Sequence, residues 1–212
     1  MLTPGEVELL AGTVEKLGCP TGALVVRLAA WTGLRAGELA GLRVGRVDLD
    51  HRVLTVVEAV ADVDGRLVAG TTKTGRVRTV PIPDGLVPLL RQQVEGKAAT
   101  ELVFQGPRGG PWRHSWFYPR YFRPACERIG RPDLRFHDLR HTYASWLLGQ
   151  GIHPRTAMEL LGHSSIQVTM DVYSHLMPDA VGHVRGRLDA LWPDTKWHGS
   201  GTLERAGAEL EL

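Results

Sequence analysis

With 212 residues, the chain is long enough for one domain with a substantial core, and a hydrophobic content of 43% excludes a chain that is disordered as a whole. Two cysteines, Cys19 and Cys126, are too few for a disulfide scaffold, and neither a signal-peptide pattern nor a bilayer-length apolar stretch is visible. We therefore expect reduced core thiols in a soluble, cytoplasmic protein without a membrane partner. The formal net charge of +2 is by itself weak evidence for a nucleic-acid partner.

The chain is predicted to begin with helices. Thr3-Pro4-Gly5-Glu6 has the form of a capping box and starts a helix that runs to about Leu17. A second, largely buried helix is predicted over residues 23–31, and a short third one over residues 35–42.

The pattern then changes to an alternation of apolar and polar residues that is typical of strands. It covers residues 47–60 and 76–82, with turns at residues 50–51 and 64–65, and Lys73 lies at the turn before the last strand. These segments predict a small antiparallel sheet of about three strands.

The remainder is predicted to be helical, apart from a loop at residues 106–111. The predicted helices cover residues 84–94, 114–129, 136–149, 154–161, 165–173 and 179–191. The fold class is therefore α+β, mainly α-helical with a small three-stranded antiparallel sheet. One domain is expected over residues 1–192, and residues 193–212 are expected to be a tail that either docks on a neighbouring subunit or is disordered.

Basic residues are concentrated in the middle of the chain. Residues 100–155 contain nine arginines and four acidic residues, with four histidines among them. Such a segment is compatible with a face that binds phosphates, although a solvated arginine surface would have the same composition.

The sequence His137-Asp138-Leu139-Arg140-His141 brings two histidines and an arginine to one helix face. Histidines at this spacing would suit a metal site. Asp138 in place of a glutamate, and the fixed cation of Arg140, favour instead a clamp for an oxyanion or a phosphate. Ordinary helix residues that cap or pair with acids are the other interpretation.

Two further segments carry candidate functional residues. Arg35 stands where a turn leads into a helix, a position that the helix dipole disfavours for a cation, so a partner such as Glu38 is expected. A surface pair of these two residues would contribute little. Gly162 is predicted to end a helix and to present His163, and Tyr173 lies near the end of the next helix. Tyr173 could equally be a half-buried aromatic residue. That character is expected of Tyr118, Tyr121 and Tyr143.

Taken together, these segments resemble the signature of the tyrosine recombinases, the family that includes the phage integrases. Six residues occur in the family's order: Arg35, Lys73, His137, Arg140, His163 and Tyr173. The flanking sequences are similar too: Thr-Gly-Leu-Arg-Ala-Gly-Glu-Leu, Thr-Lys-Thr-Gly, His-Asp-Leu-Arg-His-Thr, Leu-Gly-His-Ser and Tyr-Ser-His. The similarity extends over roughly residues 2–191. Each motif alone is weak or moderate, but all of them in this order are a strong signal for the catalytic domain of a DNA breaking and rejoining enzyme.

The resemblance implies site-specific recombination through a covalent intermediate. Tyr173 would attack the scissile phosphate and form a 3′-phosphotyrosyl link, while Arg35, Arg140 and His163 bind the non-bridging oxygens. Lys73 would protonate the leaving 5′-oxygen. No metal or other cofactor is implied.

The remaining members of the cluster receive smaller roles. His137 would assist as an acid or base, and Glu38 would orient Arg35. Asp138 and His141 are expected to be structural. Because two guanidiniums would lie beside Tyr173, the pKa of its phenol is expected to fall below the ordinary value near 10, which a pH–rate profile of cleavage would test.

The resemblance also implies partners. Double-stranded DNA is the expected substrate, bound by a homotetramer that is a monomer in isolation. Family members usually carry another DNA-binding domain before the catalytic one, so this chain is expected to be a fragment or a truncated product. It should bind DNA weakly, with an affinity that falls steeply with salt in a titration.

Two other functions remain open. A type IB topoisomerase-like enzyme would use the same chemistry to relax supercoils, and a prophage remnant would bind DNA without cleaving it.

Overall fold

The computed structural model describes residues 1–63, 65–71, 77–107 and 109–162. This part of the chain is mainly helical and has two small antiparallel sheets, which confirms the predicted fold class. Predictions for Lys73, for the helices after residue 162 and for the tail lie outside the described residues.

The chain begins with two helices that pack against each other, α1 (Pro4–Lys16) and α2 (Pro20–Thr32). The predicted capping box is present: the Glu6 amide donates to Thr3 Oγ1 at 3.2 Å, and the Thr3 amide donates to Glu6 Oε2 at 2.7 Å. α2 begins earlier than predicted, at Pro20, because proline has no amide hydrogen to lose at the first helical position.

The predicted three-stranded sheet is formed by β1 (Val47–Asp48), β2 (Val53–Val56) and β5 (Arg78–Pro81). The strands lie in the order β1-β2-β5, and both pairs are antiparallel. Leu54 of β2 pairs with Val80 of β5, and both side chains are fully buried.

A separate hairpin forms a second sheet, whereas the sequence pattern predicts a single sheet and no strand over residues 66–71. Its strands are β3 (Glu58–Val63) and β4 (Arg66–Thr71). The hairpin packs on the short helix α3 (Ala36–Gly41), and a methyl group on Gly37 would come within 2.8 Å of the Val60 carbonyl oxygen.

The middle of the chain contains α4 (Val87–Val94), α5 (His114–Phe117) and α6 (Arg123–Arg128). The helix predicted over residues 114–129 is therefore interrupted, by a π turn at Tyr118–Phe122. Prolines in this stretch have no amide hydrogen to donate to the α-helical hydrogen-bond pattern. A π turn accommodates the shift in backbone pairing that results.

The last described helices are α7 (Asp138–Gly149) and α8 (Pro154–Leu161). α7 packs against α2, where the rings of Trp31 and Trp146 lie 4.5 Å apart. α8 packs on α7 and β5, so it lies beside the three-stranded sheet.

One large hydrophobic core joins these elements, and a smaller cluster lies between α7 and α8. Cys19 and Cys126 are buried and unpaired, as predicted, and burial raises the pKa of the Cys126 thiol to about 12. In the described ranges, we find no helix with the length and apolar character needed to cross a membrane.

Candidate active site

Arg35 occupies the N-cap position of α3, two residues after the left-handed Gly33 that ends α2. Its side chain, 25% exposed, donates from Nη1 to Glu38 Oε1 at 3.0 Å and from Nη2 to the Gly162 carbonyl at 3.2 Å. The Arg35 amide donates to Glu38 Oε2 at 2.8 Å. Glu38 therefore fixes both the backbone and the guanidinium of Arg35.

Arg140 lies in the first turn of α7 and is only 2% exposed. Its Nη1 donates to the Gly33 carbonyl at 2.7 Å, and its Nη2 donates to the Leu161 carbonyl. Its buried Nε has no hydrogen-bond partner among the described residues. Burial, and after it the like charge of Arg35, lowers the pKa of Arg140 to about 9, so the guanidinium is a cation at neutral pH.

His137 precedes α7 at its N-cap position and is an exposed residue. Its ring stands nearly perpendicular to the ring of His141, with 4.9 Å between the centroids. Partial desolvation, followed by the charges of His141 and Arg140, lowers the pKa of His137 below its ordinary value of 6.5. His137 is therefore neutral at pH 7 and able to accept a proton.

Among the described residues, the histidine pair is not part of a larger group of metal-ligating side chains. Within residues 1–162, as far as the structure describes them, no group of three or more His, Cys, Asp or Glu side chains could hold a metal ion. Asp138 instead pairs with Arg135, at 2.9 Å between Oδ1 and Nη2.

The structure thus brings Arg35, Arg140 and Glu38 together around the end of α8. His137 lies close enough for the charges of both arginines to depress its pKa. Lys73, His163 and Tyr173 lie outside the described residues, although His163 follows Gly162 directly in the sequence.

The interpretation of Arg35 and Glu38 as a surface pair is wrong, because the Glu38 side chain is only 1% exposed. Glu38 also binds a second arginine, Arg78 of β5, which explains how its carboxylate can be buried. The Nη1 and Nη2 of Arg78 donate to the two oxygens of Glu38 at 2.8 and 2.7 Å. Burial would raise the pKa of Glu38, but the bonds from Arg78 and then from Arg35 hold it below its ordinary value of 4.5.

Arg78 was missed in the sequence because it belongs to no recognised motif. One signal was available: β5 alternates between buried and exposed positions, and Arg78 shares the buried face with Val80. A charged residue at an inward strand position requires a buried partner of opposite charge.

The other tyrosines of the described chain differ in burial. Tyr118 and Tyr121 are half-buried, as predicted, whereas Tyr143 is only 5% exposed. Burial raises the pKa of Tyr143 to about 12, so its phenol stays protonated and is a poor nucleophile.

A groove of about 860 Å³ adjoins Arg35. Its walls are α3, the β3–β4 hairpin and the segment that leads into α5, including Trp112, Arg113 and His114. Arg35 is itself one of the residues that line this groove.

Comparisons with known proteins identify the family of the chain. The sequence model of the phage integrase family matches residues 1–179. The tyrosine recombinase XerC-like protein of Caldanaerobacter subterraneus is 31% identical over 175 residues, which are 71% of this chain and 44% of that protein. An integrase/recombinase of Escherichia coli is 30% identical over an alignment of 238 positions that covers 92% of this chain and 65% of that protein. The chain therefore spans about half to two thirds of these relatives.

Solved structures share the fold. The Tn1549 transposon integrase, in complex with a circular intermediate DNA, has a TM-score of 0.75 at 20% identity, covering 88% of this chain and 65% of that one. The catalytic domain of bacteriophage HP1 integrase has a TM-score of 0.60 at 24% identity, covering 88% of this chain and 93% of that one. With the family match over residues 1–179, we conclude that the chain belongs to the phage integrase family of tyrosine recombinases.

Proposed function

We propose that this chain cuts and rejoins DNA strands as the catalytic domain of a site-specific tyrosine recombinase. The observation that carries the proposal is the convergence of Arg35 and Arg140, from different helices, on adjacent carbonyls at the end of α8. Two fixed guanidiniums at one point are suited to an oxyanion with two non-bridging oxygens, such as a phosphodiester.

In the proposed reaction, the phenolic oxygen of Tyr173 attacks the scissile phosphorus and the bond from phosphorus to the 5′-oxygen breaks. The electron pair leaves on the 5′-oxygen, which takes a proton from Lys73. The new 3′-phosphotyrosyl ester retains the energy of the broken bond, so attack by a 5′-hydroxyl reseals a strand without ATP.

Charge stabilisation is the main contribution of Arg35 and Arg140. Negative charge builds on the phosphoryl oxygens as the phenolate attacks, and each preorganised donor is worth about 3 kcal/mol or more at such a site. Hydrogen bonds from the guanidiniums to the carbonyls of Gly33, Leu161 and Gly162 support this role, because they fix both cations before a substrate arrives.

Two histidines complete the proposed site. His163 would donate to the same phosphoryl oxygens. His137 is neutral at pH 7 and accessible, which suits it to accept the proton of Tyr173 or to return it.

The proposed partner is double-stranded DNA, and the proposed active form on DNA is a homotetramer. Structures of the Tn1549 integrase with circular intermediate DNA and of XerH bound to difH substrate support DNA as the partner. The arginine-rich composition of residues 100–155 is compatible with phosphate contacts. A reaction on chromosomal or mobile-element DNA would place the protein in the cytoplasm.

Covalent capture tests the proposal. A pool of duplexes with a randomised centre and a nick beside it releases a short fragment after cleavage, so the covalent adduct accumulates. We expect an adduct with the wild-type chain, linked to Tyr173 by mass spectrometry, and none with Tyr173→Phe. Tyr143→Phe, the matched control at a buried tyrosine, should retain the adduct. An absent adduct, or one that survives in Tyr173→Phe, would contradict the proposal.

A second assay separates recombination from the alternatives. A recombinase joins two duplexes that share the captured site, whereas a topoisomerase-like enzyme only relaxes a supercoiled plasmid. Relaxation without joined products would favour the topoisomerase. Binding without any adduct would favour a non-catalytic DNA-binding remnant.

A further inference from the structure

We infer that Arg78 is a positioning residue for the proposed cleavage reaction: its guanidinium holds Glu38, and Glu38 holds Arg35 in place for the phosphate. This inference rests on the proposed function. Arg78 is not among the six residues of the family signature that the sequence displays, and its role follows from contacts in the described part of the chain.

The first step is the pairing of Arg78 with Glu38. Both carboxylate oxygens accept from Arg78, at 2.8 and 2.7 Å, and both also accept from Arg35, one from its guanidinium and one from its amide. Glu38 thus links the two arginines, and each of its carboxylate oxygens accepts a hydrogen bond from both of them. A change on the Arg78 side of this link must alter the geometry on the Arg35 side.

The second step is the shared attachment to α8. Arg78 Nε donates to the Leu160 carbonyl at 2.8 Å, Arg140 donates to Leu161, and Arg35 donates to Gly162 at 3.2 Å. Three guanidiniums from β5, α7 and α3 therefore bind three successive carbonyls at the negative end of this helix. The segment leads directly into His163.

The close approach of Arg78 to this turn requires glycine. Gly162 adopts a φ of +64°, and a methyl group there would come within 3.0 to 3.2 Å of three atoms of the Arg78 side chain. The turn is therefore shaped to accept Arg78.

The third step is the balance of charge. Burying a carboxylate is costly unless it is paired. Without Arg78, Arg35 would be the sole cationic partner of Glu38, and its charge would be committed to that carboxylate. With Arg78 bound to both oxygens, the charge of Arg35 remains available to a phosphate. The Arg78 side chain is 7% exposed, and its Nε, Nη1 and Nη2 are all engaged, so it acts through Glu38 and not on the substrate.

Cleavage kinetics test this role with the duplex that gives the highest adduct yield. It is prepared with either a phosphate or an uncharged methylphosphonate at the cleaved position, and single-turnover rates are measured with protein in excess. We expect Arg78→Met to slow cleavage of the phosphate about 10- to 100-fold, by analogy with residues that orient the ligands of a metal site. The methylphosphonate, which develops less negative charge, should be slowed much less. Arg35→Ala, the reference variant, should shift the ratio of the two rates in the same direction.

Two further variants test whether Arg78→Met slows cleavage only because the protein no longer folds. Arg78→Lys keeps the charge but not the paired geometry and should recover part of the phosphate rate. Glu38→Gln combined with Arg78→Met removes both buried charges and should remain folded in a thermal melt. The double variant should cleave no more slowly than the slower of Glu38→Gln and Arg78→Met alone. Both changes interrupt the same chain of contacts, which runs from Arg78 through Glu38 to Arg35. Equal slowing on the two substrates, or additive effects of the single changes, would overturn the inference.

A readout without DNA separates this inference from the proposed function. In protein labelled with ¹³C at glutamate carboxyl groups, Glu38→Gln identifies the Glu38 resonance. We expect Glu38 to titrate below its ordinary range in the wild type and at a higher pH in Arg78→Met. An unchanged titration overturns the Arg78–Glu38–Arg35 arrangement, whereas a wild-type chain that forms no adduct overturns the proposed function alone.

Discussion

At the scale of single residues, Gly33 links the backbone to the site. It has a φ of +66°, its carbonyl accepts from Arg140, and a methyl group in place of its hydrogen would lie 2.5 Å from Tyr143 Cδ1 and 2.8 Å from Leu161 Cδ2. Both the left-handed conformation and the close packing therefore require glycine.

We predict that Gly33→Ala lowers the free energy of unfolding by roughly 2 to 4 kcal/mol, since left-handed strain and overpacking add. Gly18→Ala is the matched control: Gly18 has a φ of +90°, but no atom lies within 4 Å of the added methyl group. It should lose only the strain, about 1 to 2 kcal/mol. Denaturant unfolding of both variants measures the difference, and equal losses would show that packing at Gly33 contributes nothing.

At the scale of elements, the site depends on helices that are too short to be stable alone. α3 has six residues and α8 has eight, whereas isolated helices shorter than about 12 residues are marginal in water. Their ends are held by tertiary contacts: the Arg35–Glu38 pair for α3, and three arginine side chains for α8. Arg35 and Arg140, which are proposed to bind the phosphate, thus also hold the end of α8.

The packing of α8 gives a prediction at this scale. Leu161 is fully buried in the small cluster between α7 and α8, while the neighbouring Leu160 is only half-buried. Leu161→Ala should cost about 2 to 5 kcal/mol of unfolding free energy, and Leu160→Ala less than half of that. Both variants keep the backbone carbonyls. Chemical denaturation compares them, and a larger loss in Leu160→Ala would contradict the packing described for this helix.

At the scale of the whole molecule, three partly desolvated histidines act in the same direction. Desolvation lowers the pKa of His114, and it is the largest cause of the lowered pKa of both His137 and His141. When the pH falls below 6.5, the ordinary pKa of histidine, the unfolded chain binds more protons at these positions than the folded chain. Stability therefore falls as the pH drops below about 6.5.

We predict that the free energy of unfolding declines from pH 7 to pH 5, with a further decline below pH 4.5 as Glu38 becomes protonated. The ring of His114 lies among Trp112, Tyr118 and Phe136, so His114→Phe should be accommodated and should flatten the first decline. Urea unfolding at a series of pH values measures this. An unaltered slope in His114→Phe would exclude His114 as a contributor.

The sequence by itself determined the features that depend on neighbouring residues. The capping box of α1 and the bounds of α8 could be predicted, because caps, proline positions and helical periodicity act over a few residues. The local proximity of Arg35 and Glu38 could be predicted for the same reason.

The tertiary structure alone decided how distant segments meet. Arg140 binds a carbonyl 107 residues away, and Arg78 binds a carboxylate 40 residues away. The division of the strands into two sheets, the burial of Glu38 and the position of Arg78 all depend on such contacts. No local pattern encodes them, because the energy of a buried ion pair depends on which elements pack around it and how completely they exclude water.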